Sequence, residues 1–399
     1  MTRRLVVIGN GMAATRLVEE LLIRGCRDAI TVIGEEPGPG YNRILLSPLL
    51  AGEKSAEAIV LHHADWYAEH HIHLHTGDPA TALDLHGKEV ITASGAVFPW
   101  DRLVLATGSR AARLAIPGDS LDNVFSFRTL ADTNRLADIA SAGARALVVG
   151  GGLLGLEAAW GLHQRGASVT VIHNGDWLMN RQLDAEAGSL LAASLEARGI
   201  RVLTGARSEC FVGDQTVSAL KLTDGRRIDC DVAVICIGIT PEIGLALHAG
   251  IPCERAIVTD RRLRTGIDSV YALGECCQIE GKLFGMVAPI WQQARILAAC
   301  LCGEECESYQ AEVLPTRLKV SGIDVFSAGD FSTAGDCRTL AWRDPVAGHY
   351  RRLWLRDGRL IAAVLFGDVG DGGRYFEMIQ QSARIHDATA LLLGMEQAA

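Results

Sequence analysis

One pattern occurs twice in the chain and limits its fold more than any other feature: an apolar strand, a glycine-rich turn, a helix and a second apolar strand. The two copies span residues 5–35 and 146–172. In each copy the first glycine of the turn, Gly9 or Gly150, lies sixteen positions before the glycine that ends the helix. This order is typical of the βαβ unit that opens a dinucleotide-binding fold. A single copy is often an ordinary glycine turn, but two copies in the same context are specific.

The residues of each turn have separate tasks. The first glycine permits a tight turn, the second lets the backbone approach a pyrophosphate, and the third permits close packing of helix on strand, so that the phosphates lie at the helix N-terminus. In the first copy the predicted cofactor contacts are Gly9, Gly11, Met12, Ala13 and Ala14. In the second copy they are Gly150, Gly152, Leu153, Leu154 and Gly155.

The residue after the second strand distinguishes the two copies. An acid at this position binds a ribose hydroxyl, and Glu35, with Glu36 as an alternative, provides it in the first copy. In the second copy His173 and Asn174 stand there, and Asp176 follows shortly after. Since no arginine is adjacent to hold a 2′-phosphate, the sequence predicts a slight preference for NADH over NADPH.

Three further apolar strands end in glycine-containing turns, near residues 103–109, 232–238 and 270–275. The first two look like crossing points between a flavin domain and an inserted nicotinamide domain. After the third, a helix is predicted to begin at Pro289, and its N-terminus could stabilise negative charge on a reduced flavin. The site residues predicted here are Ala106, Thr107, Gly108, Gly238, Gly274, Glu275, Pro289 and Trp291.

One chain with two such units can hold two dinucleotides, and the productive pair is a flavin with a nicotinamide. The predicted fold class is α/β, with two Rossmann-like dinucleotide-binding domains, the nicotinamide domain inserted in the FAD domain, and a small C-terminal α+β domain. That last domain is predicted from alternating strands, an Asp357-Gly358 hairpin turn and an amphipathic helix near 373–384. The predicted boundaries are 1–111 and 232–310 for the two parts of the FAD domain, 112–231 for the NAD(P) domain and 311–399 for the C-terminal domain.

Composition restricts the partners. The net charge is −9, and no run of lysine or arginine provides the basic footprint that nucleic acids or anionic membranes need. No segment approaches the roughly 18 apolar residues of a membrane span, and the N-terminal apolar run is too short for a signal peptide. The 11 cysteines are scattered, with no Cys-x-x-Cys. An odd, scattered set fits a reducing compartment, so we expect a cytoplasmic protein with no nucleic-acid or membrane partner.

Several stretches carry a closer resemblance: residues 35–37, 41–47, 178–184, 274–276, 288–291 and 316–330. With them the chain resembles the pyridine nucleotide-disulfide oxidoreductase superfamily, and within it the N-terminal flavin portion of assimilatory NAD(P)H nitrite reductase large subunits. It is also similar to electron-transfer subunits of assimilatory nitrate reductases and, more distantly, to rubredoxin reductases. The likeness spans nearly the whole chain.

The resemblance implies roles for individual residues. It implies FAD on Gly9, Gly11, Ala14, Glu35, Arg43, Thr107, Gly108 and Glu275, and NAD(P)H on Gly150, Gly152, Leu154, Gly155 and Glu157, with Gly238 at their junction. Arg43 and Ser47 are further expected flavin or phosphate contacts, as is Arg128, although Arg43 could instead be a solvated loop charge. Glu157 is predicted as the catalytic polar group near the nicotinamide. Its alternative is a helix-face glutamate paired with a lysine or arginine.

The chain also departs from its relatives. Ser47 is followed by Pro48, where rubredoxin reductase relatives commonly have a lysine, which weakens that assignment. Disulfide reductases, coenzyme A disulfide reductases and NADH oxidases need cysteine near residues 40–50, and none lies between Cys26 and Cys210. We therefore expect no thiol chemistry at the flavin.

These features predict an FAD-dependent NAD(P)H oxidoreductase whose electrons go to a separate protein, a nitrate or nitrite reductase component or a small iron-sulfur protein. The chain ends at Ala399, before the iron-sulfur and siroheme regions of nitrite reductase large subunits, so we expect no nitrite reduction by the chain itself. The alternatives are a rubredoxin or ferredoxin reductase, and a flavin-binding docking subunit without rapid turnover. In relatives the C-terminal domain serves dimerisation or partner docking, so a homodimer stays open.

Two clusters have a metal alternative. Six of the 12 histidines fall within residues 62–75, and His73 and His75 would share one face of a strand. No cysteine or acid completes a ligand set there, so no metal is predicted. Cys300, Cys302 and Cys306 suggest an iron-sulfur cluster, but we favour packing as small apolar side chains.

Overall fold

The computed structural model describes residues 2–140, 142–311, 315–320, 322–331 and 337–395. The elements before residue 112 are β1 (Arg4–Ile8), α1 (Met12–Ile23), β2 (Ala29–Gly34), α2 (Leu46–Leu50), α3 (Ala64–Glu69), β3 (His73–Thr76), β4 (Ala80–Asp84), β5 (Glu89–Thr92), β6 (Val97–Pro99), β7 (Arg102–Leu105) and β8 (Ser109–Ala111). The next are β9 (Val124–Ser126), α4 (Leu130–Ile139), β10 (Arg145–Val149), α5 (Leu153–Gln164), β11 (Ser168–Ile172), α6 (Ala185–Glu196), β12 (Arg201–Leu203), β13 (Ser208–Gly213), β14 (Val217–Leu222), β15 (Arg227–Asp229) and β16 (Val232–Ile235).

The remaining elements complete the chain. From residue 239 they are β17 (Ile239–Pro241), α7 (Gly244–His248), β18 (Ile257–Thr259), β19 (Val270–Ala272), β20 (Cys277–Ile279), β21 (Lys282–Leu283) and α8 (Val287–Cys302). The last are β22 (Thr316–Val320), β23 (Ile323–Gly329), β24 (Arg338–Asp344), β25 (His349–Arg356), β26 (Arg359–Phe366), α9 (Gly372–Gln380) and α10 (Ala388–Leu392).

Two parallel five-stranded sheets form the body of the molecule. The first has the order β19-β7-β1-β2-β3, and the second has the order β12-β11-β10-β16-β9. The central strands β1 and β10 are apolar and almost wholly buried after their first residue, as expected for parallel strands covered on both faces. In each repeat the helix follows its strand directly, so both glycine-rich turns lie at the carboxyl edge of a sheet.

The second sheet is inserted in the sequence of the first, because β19 returns to β7 after the whole second sheet is complete. The chain crosses between the two sheets at β8 and β17, which form an antiparallel pair of strands. Ser109 lies opposite Pro241, and Ala111 lies opposite Ile239. Two smaller antiparallel sheets are formed by segments between strands of the parallel ones: β4-β5-β6 between β3 and β7, and β13-β14-β15 between β12 and β16. This topology confirms the predicted fold class of two Rossmann-like units, one inserted in the other.

The C-terminal part is an antiparallel sheet of order β22-β23-β26-β25-β24 with helices α9 and α10. The predicted hairpin turn at Asp357 and Gly358 joins β25 to β26. One face of the sheet, including Val325 and Trp354, shares a hydrophobic core with α5 and α6, and its other face packs on α9 and α10. The α+β character predicted for this region is therefore confirmed.

Two details of the helix α8 differ from the sequence expectation. The helix begins at Val287 rather than Pro289, because proline is accepted anywhere in a first turn, where its missing N–H is not needed. At the other end the chain reverses at Gly303, and Cys306 returns to form a disulfide with Cys300, with their Cα atoms 5.3 Å apart. The expectation of apolar packing without a covalent partner is therefore wrong for Cys300 and Cys306, because helical periodicity does not show this reversal, whereas Cys302 packs against the core of the first unit as expected.

Two histidines of the cluster lie on β3, the edge strand of the first sheet, and the other four flank α3. His73 and His75 share one face of β3, as expected from their spacing, and both rings pack near Phe98. His75 contacts Asp78, at 2.7 Å. Among the described residues no group of three or more potential ligands is arranged to hold a metal ion.

Within the described part of the chain, no helix has the length and apolar character needed to cross a membrane.

Candidate functional site

The first glycine-rich turn and the helix that follows the second one line the same cleft of about 600 Å³. Gly9 and Gly11 line it from the first turn, and Leu154 and Glu157 line it from the helix that follows the second. The N-cap residue of α1, Gly11, has no side chain, so no side-chain cap occupies the first N–H groups of the helix. Uncapped N–H groups at a helix N-terminus are a binding site for phosphate.

Most of the predicted site residues meet in this cleft. Those that line it are Gly9, Gly11, Met12, Ala13, Glu35, Glu36, Arg43, Ser47, Ala106, Thr107, Gly108, Arg128, Leu153, Leu154, Glu157, Glu275 and Trp291. Those outside its lining are Ala14, Gly150, Gly152, Gly155, Gly238, Gly274 and Pro289. Ala14 and Gly155 take part in packing of the helix on the strand, as their third position in the turn predicts.

The first glycines of the two turns have the same structural task. Gly9 has φ 111° and Gly150 has φ 123°, a backbone region that L side chains rarely adopt. A Cβ at Gly9 would lie 2.1 Å from the carbonyl oxygen of Ala106, and one at Gly150 would lie 2.1 Å from that of Cys236. Each glycine therefore lets its turn approach the end of the neighbouring parallel strand.

Glu36 is held by two partners at one side of the cleft. Arg43 donates to one carboxylate oxygen at 2.6 Å, and the Tyr41 hydroxyl donates to the other at 2.8 Å. The same hydroxyl accepts from the backbone N–H of Leu130, so it joins Glu36 to the start of α4. Arg43 is thus an ordered, paired cation that lines the cleft and not a freely solvated loop charge. Tyr41 lies in the stretch 41–47 that carries the family resemblance, but its role as a positioning residue was not predicted from the sequence.

Arg128 and Glu275 form an ion pair across the cleft, and both are half-buried. Ser109 joins them, because its hydroxyl donates to Glu275 at 2.6 Å and accepts from Arg128 at 2.7 Å. The backbone N–H of Gly274 donates to the buried Gln293 side chain at 2.8 Å, which fixes the turn before Glu275. Ser109 is a further cleft residue, and its place directly after Thr107 and Gly108 is the sequence signal that could have indicated it.

Glu35 lies at the mouth of the cleft and is exposed, with Arg110 3.4 Å away. Arg110 also pairs with Glu242, a cleft residue that sequence reasoning missed because no motif marks it. Thr107 donates its hydroxyl to the backbone oxygen of Glu242 at 2.7 Å. This hydrogen bond joins the two places where the chain passes between the sheets, because Thr107 precedes β8 and Glu242 follows β17.

Ser47 and Glu157 meet where the two halves of the cleft join. The Ser47 hydroxyl donates to a carboxylate oxygen of Glu157 at 2.7 Å. Glu157 is half-buried, and burial raises the pKa of its carboxyl, which the hydrogen bond from Ser47 partly offsets. Among the described residues Glu157 forms no ion pair, so the alternative of a helix-face glutamate paired with a lysine or arginine is not observed.

His173 follows β11, at the place where a dinucleotide fold commonly has its ribose-binding acid. It is 8% exposed, and its Nδ1 accepts a hydrogen bond from the backbone N–H of Gly151 at 3.2 Å. Burial lowers its pKa, so the imidazole is neutral near neutral pH. Asn174 and Asp176 beside it are exposed.

Apolar side chains surround the mouth of the cleft. Trp291 and Met286 are each 45% exposed, and Ile44 is 56% exposed. The guanidinium of Arg16 lies over the Trp291 ring, 5.7 Å from its centroid. Exposed apolar side chains beside a cleft are typical of a binding surface.

The described residues fit an extended dinucleotide in the cleft. The uncapped N-terminus of α1 suits its phosphates, the acids after β2 suit a ribose, and Glu275 suits a polyol chain. The helix α5, which follows the second turn, reaches the same cleft with Leu153, Leu154 and Glu157, and this suits a second nucleotide that meets the first. This arrangement leaves room for two nucleotides to meet in one cleft.

Family comparisons agree with this arrangement. A family model described as Pyridine nucleotide-disulphide oxidoreductase matches residues 3–296, and one described as Rubredoxin NAD+ reductase C-terminal domain matches residues 315–383. The resemblance predicted from the sequence is therefore confirmed.

Individual relatives are also similar. The NAD(P)H nitrite reductase of Bacillus subtilis is 42% identical over 390 residues, which cover 98% of this chain and 48% of that protein. The assimilatory nitrate reductase electron transfer subunit of the same species is 37% identical over 395 residues, which cover 99% and 51%. The chain thus spans about half the length of these relatives. A chain in the crystal structure of the covalent putidaredoxin reductase-putidaredoxin complex has a TM-score of 0.87 at 24% identity, with 98% of each chain covered, which shows the fold alone.

Proposed function

The chain belongs to the pyridine nucleotide-disulphide oxidoreductase family, and from this premise we propose that it is an FAD-dependent NAD(P)H oxidoreductase that passes electrons to a separate redox protein. The observation that carries the proposal is the shared cleft, which joins the N-terminus of α1 to the first turns of α5. Since a dinucleotide on each turn would place its reactive end in this cleft, the geometry suits electron transfer between two bound cofactors.

Each group of cleft residues has a role in this proposal. The first turn and α1 bind the pyrophosphate of FAD, Glu35 or Glu36 binds its ribose, and Glu275 binds its ribityl chain. Arg43 orients Glu36, and Arg128 orients Glu275, through ion pairs. When bound, FAD supplies the two-electron chemistry that links NAD(P)H to an acceptor. Glu157 is the polar group beside the nicotinamide, and the second turn binds the nicotinamide nucleotide.

We assign NADH as the preferred nucleotide. A 2′-phosphate needs a cation after β11, but the buried His173 is neutral and Asn174 and Asp176 supply no positive charge. The acceptor proposed first is a nitrate or nitrite reductase component, because the two curated relatives are named for these reactions. A rubredoxin or ferredoxin is the second candidate, favoured by the match of residues 315–383 to a rubredoxin reductase domain. We place the reaction in the cytoplasm, and a homodimer is compatible with it.

Stopped-flow spectroscopy of the FAD-loaded protein tests the proposal. Mixing with NADH under anaerobic conditions is expected to bleach the flavin absorbance within seconds, at a rate that corresponds to the usual turnover range of about 1–1000 per second. NADPH is expected to bleach it more slowly at equal concentration.

Two outcomes would contradict the proposal. A protein that does not retain FAD after saturation and gel filtration has no flavin function. A protein that retains FAD but is not bleached by either nucleotide is a flavin-binding docking subunit. Reoxidation by a purified nitrate or nitrite reductase component, compared with a rubredoxin, then identifies the acceptor.

A further inference from the structure

The hydrogen bond between Ser47 and Glu157 joins two units of the molecule, and the proposed function does not require it. Its two residues come from different units of the molecule: Ser47 from α2 in the first unit and Glu157 from α5 in the inserted one. Their single hydrogen bond of 2.7 Å spans 110 positions of sequence. Both residues line the cleft, beside the apolar Leu153 and Leu154.

Few contacts stabilise the ionised form of the Glu157 carboxyl. A carboxylate that leaves water needs a cation or several hydrogen bonds to stay charged. Glu157 has one hydroxyl donor and, within the described ranges, no cationic partner. Burial therefore favours the protonated carboxyl, while Ser47 opposes this by stabilising the charged one.

Other charged groups near α5 do not compensate. In the elements packed against α5, the charged or titratable side chains that the structure describes are Arg145 on β10, Arg317 on β22, and the buried Cys236 thiol directly after β16. On α5 itself His163 lies near the opposite end of the helix. The cleft arginines are engaged elsewhere, in pairs with Glu36, Glu242 and Glu275. The strands β11 and β16 and the helix α2 contain no charged residue.

We propose that Ser47 is a positioning residue that holds the Glu157 carboxyl in the cleft as a proton-exchanging group, and that binding of the nicotinamide nucleotide is coupled to proton uptake there. The inference rests on the proposed function. A nucleotide that fills the cleft removes the remaining water from the carboxyl, and loss of water disfavours its charged form. Nucleotide binding thus strengthens proton binding and, because linkage is reciprocal, a bound proton strengthens nucleotide binding.

The coupling is measured without turnover by calorimetric titration of the FAD-loaded protein with tetrahydro-NAD, an analogue that has a neutral ring and donates no hydride. In two buffers of different ionisation heat, the wild type is expected to take up a proton on binding. Its affinity is expected to fall by up to about tenfold for each pH unit above the pKa of the carboxyl. Glu157→Gln, which cannot ionise, is expected to bind with no proton uptake and with pH-independent affinity.

Ser47→Ala and Ser47→Thr separate positioning from packing. Loss of the hydroxyl removes a hydrogen bond to the charged form of Glu157. In Ser47→Ala the fall of analogue affinity with rising pH is therefore expected to begin about one pH unit higher than in the wild type. Ser47→Thr retains a hydroxyl and is expected to restore the wild-type profile. The matched control is Ser189→Ala, because Ser189 is an exposed residue of α6 whose hydroxyl donates to the backbone oxygen of Ala185 in its own helix.

The outcomes distinguish this inference from the proposed function. If the FAD-loaded wild type binds the analogue with no proton uptake, or if Glu157→Gln retains the wild-type pH limb, the inference is wrong and the proposed function stands. A Ser47→Ala profile equal to that of Ser189→Ala would remove the positioning role. If the wild type binds neither FAD nor the analogue, both proposals are wrong.

Discussion

Replacing Gly150 by alanine is expected to weaken NADH binding, and so to slow reduction of the bound flavin at low NADH concentration, while leaving FAD in place. At φ 123° an L side chain is strained, and its Cβ would lie 2.1 Å from the carbonyl oxygen of Cys236. The turn must move away from the end of β16 to relieve this overlap, and nucleotide binding must then pull the turn back to its original position. A strain of about 1–3 kcal/mol corresponds to roughly a 5- to 150-fold loss of affinity for NADH. Stopped-flow bleaching at several NADH concentrations measures it.

Gly9→Ala is the matched variant for the other site. Its turn has the same backbone geometry and the same 2.1 Å overlap, here with Ala106, so it is expected to lose FAD instead. Gly373→Ala is the control, because a Cβ at this position in α9 meets no atom within 4 Å. FAD content after gel filtration separates the variants. If Gly150→Ala loses FAD as readily as Gly9→Ala, the assignment of the two turns to different nucleotides is wrong.

The elements that were predictable from the sequence are those fixed by short-range patterns. A buried parallel strand is a continuous apolar run in the sequence, and a close backbone approach requires the glycine at its end. Both repeats could therefore be predicted from neighbouring residues alone. The 16-residue spacing then placed α1 and α5, and the apolar runs located β7, β16 and β19. The insertion of one sheet in the other followed from the order of these motifs along the chain.

Several side-chain pairs of the cleft were not predictable, because they join residues that are distant in sequence. Arg128 meets Glu275 across 147 positions, and Thr107 meets the backbone of Glu242 across 135. No local pattern records such a contact, since it depends on how two units are oriented against each other. The disulfide between Cys300 and Cys306 is close in sequence, but it depends on a chain reversal that helical periodicity does not reveal.

Asp184→Ala is expected to lower the free energy of unfolding by about 2–4 kcal/mol, through loss of contact between the inserted unit and the C-terminal sheet. Asp184 is 7% exposed and caps α6 by accepting from the N–H of Ala187. It also accepts from the buried Tyr350 hydroxyl at 2.6 Å and pairs with Arg352 at 3.0 Å. Burial and the adjacent Asp184 carboxylate raise the pKa of Tyr350, so this hydroxyl remains a donor throughout the neutral range. Alanine would remove the cap and leave the hydroxyl without its acceptor.

Urea unfolding followed by tryptophan fluorescence measures this loss, since Trp354 lies in the same core as the interface. Asp184→Asn retains an acceptor oxygen and a good helix cap, so it is expected to lose less than alanine does. Glu186→Ala is the control, because Glu186 pairs with Arg343 at 2.8 Å where both side chains are about half exposed. An exposed pair of this kind contributes about 0.5 kcal/mol or less. Equal losses in Asp184→Ala and Glu186→Ala would show that the buried network does not hold the C-terminal sheet in place.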